Sequence, residues 1–266
     1  MMTIPVALTI AGSDPSGGAG LQADLKTFHQ FGVYGEAVVT LITVQNTRGV
    51  DRVETLDAGL IVQQIRAVVE DIPPHAAKTG ALGSRAIVEA VAKAAASFRF
   101  PLVVDPVMIS KHGTPLIDPD AERALIEHLL PRASLLTPNL SEAAALAGFP
   151  VEDIGSMRRA AEKLVSMGAA NVLVKGGHLP GQAVDVLYLT GGIVREFPAE
   201  RIDTPHTHGT GCTYSAAITA ELARGTPLEQ AVERAKAFIT AAIRTNPGLG
   251  GGSGPLNHHA PIMSRG

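Results

Sequence analysis

The sequence predicts an α/β fold: one mostly parallel central sheet, helices on both faces and a small edge hairpin. Three observations predict it. Short apolar runs at residues 6–11, 102–104, 135–137 and 171–174 alternate with longer stretches of helical period. These runs lack the strict in-out alternation of half-exposed strands, as a sheet covered on both sides requires. Their ends are polar or rich in glycine, and sheets of this kind bind ligands at the carboxyl ends of their strands.

The elements follow in order. Residues 6–11 read as a buried strand running into Gly12-Ser13-Asp14-Pro15-Ser16-Gly17-Gly18-Ala19-Gly20, and an amphipathic helix follows to about Phe31 with Gly32 as its stop. Residues 37–44 are apolar and β-branched, residues 50–56 alternate, and together they predict the edge hairpin. Asp57 can cap a helix that the Pro73-Pro74 pair ends. Ser84 opens another, through an alanine-rich stretch near Phe98. The strands at 102–104 and 135–137 close on Asp105-Pro106-Val107-Met108 and Pro138-Asn139-Leu140-Ser141-Glu142, where Ser141 is the expected N-cap of the next helix. The strand at 171–174 ends in Lys175-Gly176-Gly177-His178, and residues 184–189 and 193–197 flank Gly191-Gly192 as a hairpin. Two helices finish the pattern, one starting near Gly211 and one announced by Thr226-Pro227-Leu228-Glu229, which reads as a capping box. Residues after Pro247 read as a glycine-rich loop.

With 266 residues, 45% of them apolar and 18% charged, residues 1–266 are expected to form a single domain. The formal net charge of -3 and the lack of basic runs argue against a nucleic-acid partner. No apolar run approaches bilayer length and the N-terminus carries no basic leader, so no membrane partner and a cytoplasmic location are expected. The one cysteine, Cys212, rules out an internal disulfide.

Chemistry is expected first at Gly209-Thr210-Gly211-Cys212. Glycines just ahead of a helix leave successive backbone N–H groups free to meet an anion at the positive helix end. The same position is expected to lower the thiol pKa of Cys212, which could then receive the proton of a substrate alcohol. Asp105, Asn139 and Glu142 offer oxygens of the kind that a hydrated Mg²⁺ on nucleotide phosphates takes. Asp105 and Glu142 are the metal candidates, and Asn139 is placed with Lys175, whose cation can neutralise phosphate, on the nucleotide side.

One signal is a decoy. Gly18-Ala19-Gly20-Leu21-Gln22-Ala23 fits a dinucleotide fingerprint, but Gln45-Asn46 stands where its acidic partner is needed and Asp14 would repel a pyrophosphate. The loop reads better as a substrate cradle. Nine histidines show no zinc-like spacing with an acidic partner, and no P-loop motif is present.

In their order and spacing, the segments at residues 7–20, Gln45-Asn46-Thr47-Arg48-Gly49-Val50, Asp105-Pro106-Val107-Met108, Lys175-Gly176-Gly177-His178 and His208-Gly209-Thr210-Gly211-Cys212 resemble the hydroxymethylpyrimidine/phosphomethylpyrimidine kinases of thiamine biosynthesis. That resemblance implies a ribokinase-like three-layer α/β/α sandwich, a homodimer, ATP and Mg²⁺, and an aminopyrimidine phosphorylated twice. It further implies Gly12, Asp24, Val44, Gln45 and Val107 at the pyrimidine, Thr207 with the nucleotide, Gly209 to Gly211 as an anion hole, and Cys212 in the position of a base. Relatives are expected to carry Lys-Asn where this chain has Pro205-His206, which removes a cation near the nucleotide. Three other readings are a pyridoxal kinase, a hydrolase with Cys212 and His208 as nucleophile and base, and a heterocycle-binding protein without turnover.

Overall fold

The computed structural model describes residues 4–262 except 112, 178 and 180, so His178 of the Lys175-Gly176-Gly177-His178 segment lies outside the described residues. In chain order the elements are β1 (Val6–Ser13), α1 (Gly20–Gln30), β2 (Tyr34–Asn46), β3 (Gly49–Thr55), α2 (Ala58–Asp71), β4 (Ala76–Thr79), α3 (Arg85–Ala95) and β5 (Leu102–Val104). Next come α4 (Pro119–Ala124), which continues as a π turn and a 3₁₀ turn, and β6 (Leu135–Leu136), α5 (Leu140–Ala147), α6 (Ile154–Ser166) and β7 (Val172–Val174). The last are β8 (Asp185–Leu189), β9 (Ile193–Phe197), α7 (Thr210–Ala223) and α8 (Leu228–Arg244).

Among the described residues the nine strands make one sheet in the order β3-β2-β1-β4-β5-β6-β7-β8-β9. The six strands from β2 to β7 in that order are parallel, with an antiparallel strand β3 at one edge and the antiparallel pair β8 and β9 at the other. The expected edge hairpin is β2 and β3, paired from Leu41 opposite Thr55 to Asn46 opposite Gly49.

Strand periodicity divides the core. Ala7, Ala76, Val103, Leu135, Leu173 and Leu187 pack with Phe28 of α1 and Phe31 just after it, the small residues of α7 and Phe238 of α8. Their neighbours Leu8, Ala77, Val104, Leu136, Val172 and Val186 point the other way, onto Ile61 and Ile65 of α2, Val88 and Val91 of α3, Leu146 of α5 and Leu164 of α6. Helices thus cover both faces, and the architecture is the expected three-layer α/β/α sandwich. No helix among the described residues is long and apolar enough to cross a membrane.

The structure departs from the sequence reading at three elements. Strand β4, Ala-Ala-Lys-Thr, has no counterpart in that reading: four residues with a lysine carry no apolar run, yet the strand is central and fully buried. The N-cap of α5 is Asn139 rather than Ser141, because the Asn139 side chain accepts from the Glu142 N–H at 2.9 Å and the Glu142 carboxylate accepts from the Asn139 N–H at 2.8 Å. Thr226 does not cap α8, since its hydroxyl donates to the Glu221 carboxylate on α7 and the helix starts after Pro227 without a side-chain cap.

Candidate functional site

The carboxyl ends of β1, β2, β4, β5, β6 and β7 meet at one rim, and α7 begins there. Its N-cap, Gly209, has φ +80°, and a Cβ at this position would run into the Gly18 carbonyl, so glycine is required both by conformation and by the close approach of the first loop. Thr207 lies half-buried just before it, and its carbonyl accepts from the Thr210 hydroxyl at 2.7 Å, which winds the chain into the helix. Thr210 and Gly211 form the first turn, and a Cβ on Gly211 would lie 3.3 Å from Lys175 Nζ and 3.9 Å from Asp105 Oδ2. The missing side chain therefore leaves open the space between the helix end and this ion pair.

Asp105 directly follows β5 and is buried. Its Oδ1 accepts from Lys175 Nζ at 2.9 Å and its Oδ2 from the Ser215 hydroxyl at 3.2 Å. Lys175 is brought in from β7, and its backbone N–H donates to the Pro138 carbonyl at 2.8 Å, next to Asn139. Burial opposes the Lys175 charge, but Asp105 and Glu142 outweigh it and raise the lysine pKa. Glu142 is buried beside the same charges: burial, with help from Asp105 and against the pull of Lys175, pushes its carboxyl up to about 7. Val107 is half-buried in the turn after β5, its N–H donating to the Asp105 carbonyl at 2.8 Å.

Sequence reasoning missed Lys78, the third residue of β4. Strand alternation turns it to the α1 and α7 face, where its Nζ donates to Asp24 Oδ2 at 2.8 Å, both side chains being fully buried. Thr9 on β1 donates to the same oxygen at 2.6 Å, while among the described residues Asp24 Oδ1 is buried without a hydrogen-bond partner. Burial acts against the Lys78 charge, yet Asp24, and after it Cys212 and Asp105, lift its pKa above the ordinary lysine value. A signal existed in α1. Asp24 sits on the apolar Leu21, Asp24, Phe28 stripe, where an acid needs a buried cation.

Cys212 lies half-buried in the first turn of α7. The expected lowering of its thiol pKa does not occur. Burial, abetted by Asp24 and Asp105, pushes it up to about 12 against the opposing Lys78 charge and a backbone hydrogen bond from Gly20. The helix end cannot outweigh two carboxylates and lost hydration. His208 does not serve the thiol as a base: its Nε2 meets Asp14 Oδ2 at 2.8 Å and the terminal amide of Gln45 at 3.0 Å.

Gln45 is half-buried and Val44 is 54% exposed near the end of β2, while Gly12 is on β1, where a Cβ would press on Leu41. The first loop is held by Asp14, which accepts from the Ser16 and Ala19 N–H groups and the Ser16 hydroxyl, each at 2.9 Å. Pro205-His206 has a structural task. His206 Nδ1 accepts from the Gly254 N–H at 3.2 Å and the His208 N–H donates to the Gly254 carbonyl at 3.1 Å, so the glycine-rich segment is strapped against the entry to α7. Arg48, at the hairpin tip, faces Pro205 and Gly251 to Ser253 across a cleft.

As a donor set for an ion, Asp105 and Glu142 provide hard carboxylate oxygens next to the Lys175 cation, which fits Mg²⁺ with further oxygens from elsewhere. Among the described residues no group of three or more His, Cys, Asp and Glu gathers closely enough to hold a metal. An ion here would need oxygens from nucleotide and water, as Mg²⁺ accepts.

A three-layer sandwich with a glycine-opened helix end, a lysine and carboxylates on its strand-end rim defines a ribokinase-like phosphotransferase. The chain belongs to the phosphomethylpyrimidine kinase family, whose profile matches residues 14–257. It is 50% identical over 256 residues to the hydroxymethylpyrimidine/phosphomethylpyrimidine kinase of Rhizobium meliloti (strain 1021), covering 95% of this chain and 96% of that protein. It is 49% identical over 253 residues to the thiamine biosynthesis bifunctional protein ThiED of Geobacter sulfurreducens, covering 94% of this chain and 51% of that protein. Among solved structures, an ADP complex of Bacillus subtilis pyridoxal kinase superposes with a TM-score of 0.89 at 42% identity, covering 97% of this chain and 98% of that one.

Proposed function

We propose that this chain transfers the terminal phosphoryl group of ATP to the hydroxymethyl group of 4-amino-5-hydroxymethyl-2-methylpyrimidine, and in a second turn to the monophosphate so formed, giving the diphosphate used in thiamine biosynthesis. One observation carries the reading: the open first turn of α7 stands directly over the Lys175 and Asp105 pair, with Cys212 beside it.

In this reading the N–H groups from Gly209 to Cys212 hold the migrating phosphoryl group while Lys175 offsets its charge. Asn139 and Thr207 contribute on the nucleotide side. Mg²⁺, held through Asp105 and Glu142 with phosphate and water oxygens, supplies charge neutralisation. Gly12, Val44, Gln45 and Val107 line the pyrimidine, and Asp24 Oδ1, without a hydrogen-bond partner among the described residues, offers it an acceptor. A thiol with its pKa near 12 stays protonated at neutral pH, so Cys212 places the alcohol more than it deprotonates it. Loose phosphoryl transfer permits this, because the alcohol proton leaves late.

The single domain of residues 1–266 is assigned to the cytoplasm and to a homodimer, for which the exposed Tyr34 and Ile42 of β2 offer apolar surface. Light scattering at micromolar concentration would reject the dimer by returning one chain mass.

A second reading, phosphorylation of pyridoxal, is favoured by the similarity to a pyridoxal kinase. The test for both is ATP consumption with each alcohol in the presence of Mg²⁺, with product analysis. The pyrimidine is expected to give mono- and diphosphate with the higher kcat/KM; absence of both products rejects the leading assignment, and a higher kcat/KM for pyridoxal replaces it.

A further inference from the structure

The contact between Gln45 and His208 contains a conflict whose resolution assigns a role to His208. Asp14 accepts from the Ser16 N–H, the Ala19 N–H and the Ser16 hydroxyl, a set of donors that only an ionised carboxylate satisfies without competition. Burial opposes that charge, but the hydrogen bonds from His208 and Ser16 hold the Asp14 pKa below the ordinary carboxyl value. A carboxylate only accepts, so the His208 Nε2 that lies 2.8 Å from Asp14 Oδ2 carries a proton. The Gln45 amide meets the same Nε2 with its own Nε2 at 3.0 Å, which would set N–H against N–H. A half-turn of the amide removes the clash: Oε1 then shares the imidazole proton with Asp14, and the NH₂ is released.

The imidazole is in no position to yield instead. A Cβ on Gly18 would come within 2.6 Å of His208 Cδ2, so the ring is packed closely against the first loop. Its backbone N–H is tied to the Gly254 carbonyl at 3.1 Å, and the residue bridges to Pro255. Ring position is therefore set by two separate segments, the first loop and Gly254-Pro255, and the amide is the part that turns.

We propose that His208 is a positioning residue for the heterocycle: anchored by Asp14, it fixes the Gln45 amide with its carbonyl toward the imidazole, so that the NH₂ is the group presented to the substrate. The pyrimidine atom that meets Gln45 is then an acceptor, a ring nitrogen, rather than the exocyclic amine. This rests on the reading of Gln45 as a substrate contact. Because His208 immediately precedes Gly209, the same ring joins the heterocycle end of the site to the phosphate turn.

Two measurements test it on the full-length protein. Long-range ¹⁵N–¹H NMR of histidine-labelled protein, with His208 assigned by loss of its signals in His208→Gln, is expected to show Nε2 protonated at neutral pH; a bare, pyridine-like Nε2 overturns the proposal whether or not the protein is a kinase. In Asp14→Asn the anchor is a neutral amide, and KM for the preferred alcohol is expected to rise about tenfold, the size of one lost hydrogen bond, with kcat changed far less. A KM as in the parent protein, with circular dichroism showing an intact fold, overturns it as well. Protonated Nε2 in a protein that phosphorylates neither the pyrimidine nor pyridoxal would instead sink the proposed function while leaving the His208 tautomer as inferred.

Discussion

At the scale of single residues the site is governed by burial rather than by formal charge. Cys212 is the plainest case, since the helix end that ordinarily acidifies a thiol is overridden by two carboxylates and lost hydration. Cys212→Ser is accordingly expected to lower kcat about tenfold to a hundredfold, at or below the range typical of a true general base, and to leave measurable ATP turnover. Complete loss of activity in a folded variant would point to covalent chemistry. Lys78 is the second case. Replacing it with Met strands Asp24 as an unpaired buried acid, at a cost of about 3–5 kcal/mol in urea denaturation. Lys78→Met combined with Asp24→Leu should recover most of that loss, and equal instability of single and double variants would contradict the pairing. The gathering of candidate glycines and acids at one rim was legible in the sequence because such residues at strand ends are punctuation, whereas Asp24, Val44, Gln45, Val107 and Thr207 were candidates only through the family resemblance. Ionisation at the site was not legible, because it depends on the side chains of other strands, above all the unnoticed Lys78.

Among the elements, those read most accurately carry their own signals. The β2 and β3 pair was visible in β-branched composition, α1 in its period and its Gly32 stop, and α2 and α3 in their Asp57 and Ser84 caps, whose side chains accept from Leu60 and Ile87 N–H groups. Strand β4 was invisible, because its order comes from pairing with β1 and β5 on either side and not from its own four residues. The start of α5 was misread by two positions, since Asn and Ser are both good caps and the choice is made by which side chain meets Glu142. Asn139→Ala should therefore destabilise the protein by about 1 kcal/mol, whereas Ser141→Ala should fall within about 0.5 kcal/mol of the parent in thermal denaturation. The reverse ranking would restore the original assignment of the cap.

For the molecule as a whole, the layer order was legible because alternating strands and helices admit few packings, and β1, β4, β5, β6, β7 and β8 each feed both faces. What the sequence did not disclose is how the segment after α8 takes part. His258 is buried with its Nε2 3.1 Å from the Thr213 hydroxyl in α7, and burial first, then Lys26 and His259, lowers its pKa to about 4. Its folded pKa lies below the unfolded value of about 6.5, so the unfolded chain binds the extra proton between these two limits. Stability from this group is full above about pH 6.5 and fades toward pH 4, by about 3 kcal/mol in all. Urea midpoints compared at pH 4.5 and 7 should fall less steeply in His258→Gln than in the parent; identical slopes would show that His258 does not titrate as assigned. The strap that joins Gly254 to His206 and His208 has a consequence for biosynthesis. During translation the sheet and most of its helices can assemble before that stretch leaves the ribosome, so a nascent chain would reach native-like architecture while the loop proposed to grip phosphate still lacks its backing, and competence would arrive last.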